Sequence, residues 1–204
     1  MCVCVNIRPG TAKGTAGRIG THPFVKDHIV SDGRSVSDLD KDGRTLLYLE
    51  STTGKLDMVK ALLARKDVDP NLAENRRITP LCGASAKGDL QVVQALLTRK
   101  DVNSFQANRF GDVPLHVASS QGHLKVVHEL APSKSTSRAV DLNMTDEDGA
   151  TPLNRASKSG HHQVVCALIA RKWIDLSKAQ KDGATPHFIA CMKNHLNVVV
   201  ALTN

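Results

Sequence analysis

The chain is predicted to be all-α, a solenoid of stacked antiparallel helix pairs with projecting turns, and three features of the sequence predict it. Thr45, Thr79, Val113, Thr151 and Thr185 hold one place in five copies, at spacings of 34, 34, 38 and 34. A break follows in step at Gly54, Gly88, Gly122, Gly160 and Asn194. Beyond each break stands an apolar pair: Met58-Val59, Val92-Val93, Val126-Val127, Val164-Val165 and Val198-Val199. A fixed period of this size marks a repeat architecture, in which each unit buries its apolar face only against its neighbours.

Each unit reads as a polar turn, a short helix opened by a run such as Thr151-Pro152-Leu153, a break, and a second helix rich in Val and Leu. The composition suits thin layers of this kind, because aromatics are only 3% of the 204 residues and the apolar content is Leu, Val and Ala. No run approaches the eighteen or so apolar residues of a membrane span. The formal charge of +7 is diffuse, favouring acidic over basic surfaces at encounter. Of the cysteines, Cys82, Cys166 and Cys191 fall within predicted helices and read as small buried hydrophobes in a reducing compartment. Cys2-Val3-Cys4 lacks the CxxC spacing of a metal or redox pair.

Residues 1–40 form a separate segment. Before Asp27 it carries Arg8, Lys13, Arg18 and Lys26 and no acid, as a mitochondrial presequence would. Four glycines (Gly10, Gly14, Gly17 and Gly20) would weaken an amphipathic helix there by about 1 kcal/mol each against Ala. The repeat register gives another account: one period before Gly54 lies Gly20, and Phe24-Val25 and Ile29 then match Met58-Val59 and Leu63. A decayed repeat is therefore expected over about 20–38, after a largely disordered start over 1–18.

Five repeats follow over 41–204, at about 41–74, 75–108, 109–146, 147–180 and 181–204. In the first, Gly43 supplies the turn, Thr45 caps the helix and Gly54 ends it. Glu50 stands where the other copies have Ala84, Ala118, Ala156 and Ala190. A lone buried carboxylate is costly, so the neighbour on that side is expected to be loose or absent and the N-terminal layer irregular. The third repeat gains four residues in a polar stretch, Pro132 to Arg138, expected in a solvent-facing loop. The fifth stops at Asn204, just after the apolar Val198–Leu202, so either its last layer is frayed or the chain is a piece of a longer array.

The units DGATPLNRASKSGHHQVVCALI (148–169), DVPLHVASSQGHLKVVHEL (112–130) and RITPLCGASAKGDLQVVQALL (77–97) resemble the ankyrin repeat. They share its turn Gly, Thr-Pro-Leu, Ala position, Gly-His, Val-Val and Leu-Leu. The Trp-Leu-Gly-Tyr pattern of tetratricopeptide repeats is absent, and the linker ARKDVDPN (64–71) looks like those of fungal ankyrin arrays. The departures are Leu46 for Pro, Val113 for Thr, and His187-Phe188 for Leu-His. The resemblance implies an L-shaped array with hairpin turns, and a non-catalytic scaffold or adaptor that binds a partner protein without a cofactor or a small-molecule substrate.

The surface where copies differ is the place to expect that partner. On the concave helix ends and turn tips stand Arg76, Ile78, Lys87, Arg109, Phe110, Asp112 and Gln121, an aromatic-plus-arginine cluster of the type that dominates binding. Trp173, where other copies have Asp67 or Asp101, is expected to pack against the next layer. An alternative site is a basic edge of Arg65-Lys66, Arg99-Lys100 and Arg171-Lys172, with Lys134 in register. It would serve nucleic acid or anionic membrane, or simply neutralise helix C-termini. It lacks the aromatics that stack single-stranded bases.

His123, His161 and His195 share one position but lie a layer apart, about 10 Å for packed helices, too far to hold one metal ion. No GxSxG, HExxH or P-loop is present, so no catalysis is expected. The chain is expected to be intracellular, cytoplasmic or nuclear, and either monomeric or part of a larger array.

Overall fold

A threonine hydroxyl opens four of the repeat units. Thr45 accepts from the N–H of Tyr48, Thr79 from Cys82, Thr151 from Asn154 and Thr185 from Phe188. Each bond satisfies a donor that a first helical turn leaves without an intrahelical partner. Val113 has no such oxygen, and the ring of His116 instead accepts the Val113 N–H through Nδ1 at 3.4 Å. Pro80, Pro114, Pro152 and Pro186 sit in the first turn, where their fixed φ suits the helix and no bond is lost.

The computed structural model describes Val36, residues 38–131 and residues 141–203. Among the described residues there are ten helices and no β-strand. They are α1 Leu46–Thr53, α2 Leu56–Leu63, α3 Pro80–Lys87, α4 Leu90–Leu97, α5 Pro114–Ser120, α6 Leu124–Leu130, α7 Pro152–Ser159, α8 His162–Ile169, α9 Pro186–Met192 and α10 Leu196–Thr203. Odd-numbered helices open the repeats and even-numbered ones close them. Each first helix packs on the next first helix and each second helix on the next second helix, as the all-α solenoid requires.

The breaks between paired helices are left-handed. Gly88 has φ 73°, Gly160 φ 75° and Asn194 φ 57°, a conformation glycine adopts freely and asparagine tolerates. Below them the second helices form the core. Val59, Val93, Val127 and Val165, with Leu62, Leu96, Leu130 and Leu168, are buried in one continuous cluster. Ala84, Ala118, Ala156 and Ala190 are fully buried, since facing first helices leave no room for more.

Two expectations need correction. Glu50 is buried but not alone: the Lys55 ammonium stands 3.2 Å from its Oε2. Cys82 is buried, and burial pushes its thiol up to about 12, but Cys166 is only half-buried and Cys191 is exposed. Cys191 occupies the place of the buried Ser51, Ser85, Ser119 and Ser157, on the face that the next layer covers in those repeats. The start of the chain, Cys2 and Cys4, and the Pro132–Arg138 stretch with Lys134 lie outside the described residues. So does the decayed repeat over 20–38, apart from Val36 and Asp38.

Candidate functional site

The turn tips are joined into one row by the backbone. Asn75 N donates to Asp42 O at 3.2 Å, Arg109 N to Arg76 O at 3.1 Å, Glu147 N to Phe110 O at 3.0 Å and Lys181 N to Asp148 O at 2.9 Å. Inside the first four tips a side chain closes the turn by accepting two N–H groups: Asp40 from Asp42 and Arg44, Glu74 from Arg76 and Ile78, Asn108 from Phe110 and Asp112, and Asp146 from Asp148 and Ala150. Such side-chain-to-backbone bonds are why Asp and Asn favour turns.

On this frame Arg76, Arg109, Lys87 and Gln121 are exposed and Ile78 is half-buried. Phe110 leaves 50% of its surface in solvent, and the Arg109 guanidinium lies over its ring, 4.6 Å from the centroid. At that separation a cation is attracted by the ring's quadrupole. Arg76, Arg109 and Phe110 thus stand in adjacent, hydrogen-bonded tips.

Asp112 belongs to a different cluster. Arg155, on α7, reaches Asp146 at 2.6 Å, Asp148 at 3.3 Å and Asp112 at 3.7 Å. The Asp146 side chain is wholly buried. Burial raises the Asp112 carboxyl above its usual range, against the pull of Arg155. Beside them His116 is fully buried, with Nε2 3.0 Å from Ala150 O. Since Nδ1 accepts from Val113, the bonding pattern assigns the proton to Nε2. Burial holds this imidazole below its ordinary 6.5, more strongly than the Ala150 carbonyl and the nearby acids raise it. The sequence reading passed over Arg155. Its signal was there, since the same place holds Leu49, Gly83, Val117 and Ile189.

The basic edge is largely engaged within the protein. Arg65 pairs with Asp67 at 2.6 Å and Arg99 with Asp101. Arg99 Nη1 also reaches the carbonyls of Leu63, Arg65 and Val68 at 3.3, 3.0 and 3.2 Å, closing the C-terminal end of α2. Arg171 bonds His128 Nδ1 at 2.8 Å. Among the described residues of this edge, Lys66, Lys100 and Lys172 are exposed and have no ion pair. Trp173 does not pack on the next layer as expected: it is 90% exposed at φ 71°. Its backbone is what is anchored, the carbonyl accepting from Asn143 Nδ2 at 2.7 Å.

The repeated histidines fasten one layer to the next. His123 Nε2 lies 3.0 Å from Ala86 O, His161 Nε2 3.0 Å from Ser120 O and His195 Nε2 3.2 Å from Lys158 O. The imidazoles press on Gly88, Gly122 and Gly160, where an added Cβ would stand 2.4, 2.6 and 2.6 Å from Nδ1. Among the described residues no three His, Cys, Asp or Glu side chains could hold a metal ion together, and no helix is long and apolar enough to cross a membrane.

A family model described as ankyrin repeats (3 copies) matches residues 15–106, 47–139, 81–178 and 115–204. A search among curated proteins finds no match to the chain.

Proposed function

Because the chain belongs to the ankyrin repeat family, whose repeats are generally protein–protein interaction modules and typically non-catalytic, we propose that it binds a partner protein through the tips and concave helix ends of repeats two and three. The observation that carries this reading is the Arg109–Phe110 stack beside Arg76. An exposed aromatic is the costliest residue to leave in water and the most useful at an interface. Here it stands beside two cations on a rigid row of turns. Ile78, Lys87 and Gln121 extend the surface toward the helix ends, with Asp112 at its base.

The test is a pull-down from native extract with the wild type beside an Arg76→Ala/Arg109→Ala/Phe110→Ala variant, both checked for helicity by circular dichroism. A protein captured by the wild type and lost from the folded variant supports the reading. Equal capture by both rejects this surface and points to Trp173 or the Lys66, Lys100 and Lys172 edge.

A further inference from the structure

We infer that the tips of repeats two and three receive a short, acidic, extended segment of a partner protein. This inference rests on the proposed function and names the chemistry of that partner. The tip cations differ in how they are used. In repeat one Arg44 pairs with Asp40 at 2.7 Å and Asp42 at 2.9 Å, and Arg155 is taken up by its three aspartates. Arg76, Arg77 and Arg109 are exposed, and among the described residues no carboxylate lies within ion-pair distance of them. Of the two acids in their turns, Glu74 directs Oε1 to the N–H groups of Arg76 at 2.9 Å and Ile78 at 3.2 Å, and Asp112 faces Arg155 at 3.7 Å.

Three unpaired guanidiniums on two adjacent turns are a receptor for carboxylates. Stacking on Phe110 occupies the face of the Arg109 guanidinium and leaves its in-plane N–H donors for a bidentate partner. The hydrogen-bonded row of tips is a line, so a segment that follows it is extended. Phe110, half in solvent, offers that segment an apolar contact.

The same row limits the ligand's length and class. Glu147, whose N–H bonds Phe110 O, and Asp148 are both exposed on the next tip. A uniform polyanion such as a nucleic acid would run from the cations onto these acids and be repelled. A short acidic segment ends before them.

Fluorescence anisotropy with a labelled, short Asp/Glu-rich peptide bearing one Leu tests the inference. The comparisons are a Lys-rich peptide, a thymidine oligonucleotide and phosphatidylserine vesicles. The acidic peptide should bind, and Arg76→Glu/Arg109→Glu should weaken it by about tenfold or more, whereas Lys66→Glu/Lys100→Glu on the back edge should change it by less than about twofold. Glu147→Lys, which lengthens the cationic row, should tighten it. Failure of the acidic peptide to bind, equal loss in both reversal variants, or tighter binding of the oligonucleotide or vesicles at the tips overturns the inference. A partner protein still lost from the Arg76/Arg109/Phe110 variant in the pull-down would leave the proposed function standing after such a failure. Equal capture there would remove both.

Discussion

The junction between repeats one and two and the junction between repeats three and four pack the same helices with different side chains. At the first, the site of an added Cβ on Gly54 stands 2.8 Å from the carboxylate of Asp89, and one on Gly83 stands 2.6 Å from Cγ2 of Thr52. At the second, Gly122 faces the ring of His161, His116 reaches Ala150 O, and Arg155 gathers three aspartates. Rigid rings and a branched guanidinium define one arrangement, whereas Asp89 meets Gly54 only through the end of its carboxylate, Oδ2, while Oδ1 accepts the Val92 N–H. Since stability in such arrays is roughly a sum of repeat and interface contributions, unfolding should begin at the first junction and hydrogen exchange there should be fastest.

The largest change should come from Arg155→Ala. It strands the buried Asp146 carboxylate, and removing one partner of a buried pair costs about 3–5 kcal/mol. A urea unfolding midpoint unchanged by this substitution would show that the cluster is solvated in solution.

Next comes Gly88→Ala, which sets a methyl group 2.4 Å from His123 Nδ1 at φ 73°. The ring must leave its hydrogen bond with Ala86 O, so the loss should exceed the ~1–2 kcal/mol of left-handed strain alone. At Gly54 only the flexible end of Asp89 has to move, so Gly54→Ala should cost close to the strain. Equal costs at the two sites would dissolve the distinction drawn here.

The third is a pH response. His116 has its pKa lowered in the fold, so the unfolded chain binds more protons as the pH falls through the ordinary value of 6.5, and stability should fall with it. Protonation also sets a second N–H against that of Val113. Asp112, raised in the fold, acts in the opposite sense, its contribution growing as the pH falls through its raised value toward 3.8 and levelling off below it. Thermal melts between pH 7 and pH 5 should show the histidine effect, and His116→Asn, the residue that repeat four has as Asn154, should flatten the slope.

The smallest effect has the opposite sign. Glu50→Ala restores the residue of the other four repeats, and replacing a buried charge by an apolar group is often neutral or stabilising. Stability should hold or rise by about 1 kcal/mol.

The repeat positions were legible because backbone demands recur: a hydroxyl to open a helix, glycine or asparagine at a left-handed break, alanine where first helices meet. What sequence left hidden is where side chains go once a layer is stacked. Arg65 and Arg99 read as a cationic edge, yet an aspartate two residues on takes each, and the carbonyls of the preceding linker come within reach of Arg99 only through the fold. His123, His161 and His195 were placed correctly at the helix starts, but their bonds run to carbonyls 37 to 41 residues earlier, a contact no local pattern displays. Trp173 was expected under a neighbour because of its size. In fact Asn143 grips the backbone at Trp173 O and, two residues on, at Asp175 N, and the indole is left out. Arg76, Arg109 and Phe110 were identified from their variation between copies, but that Arg76 and Arg109 have no acidic partner emerged only from the geometry.

The row of tips also behaves as a ruler. Arg76 and Phe110 are 34 residues apart and Phe110 and Asp148 are 38, yet the bonds that join successive tips differ by only a tenth of an ångström, 3.1 Å from Arg109 to Arg76 and 3.0 Å from Glu147 to Phe110. The longer period leaves the graduation unaltered. Chain length can therefore drift within a period while the bond that joins successive tips stays constant, and a segment that follows the tips need not be refitted when a period grows.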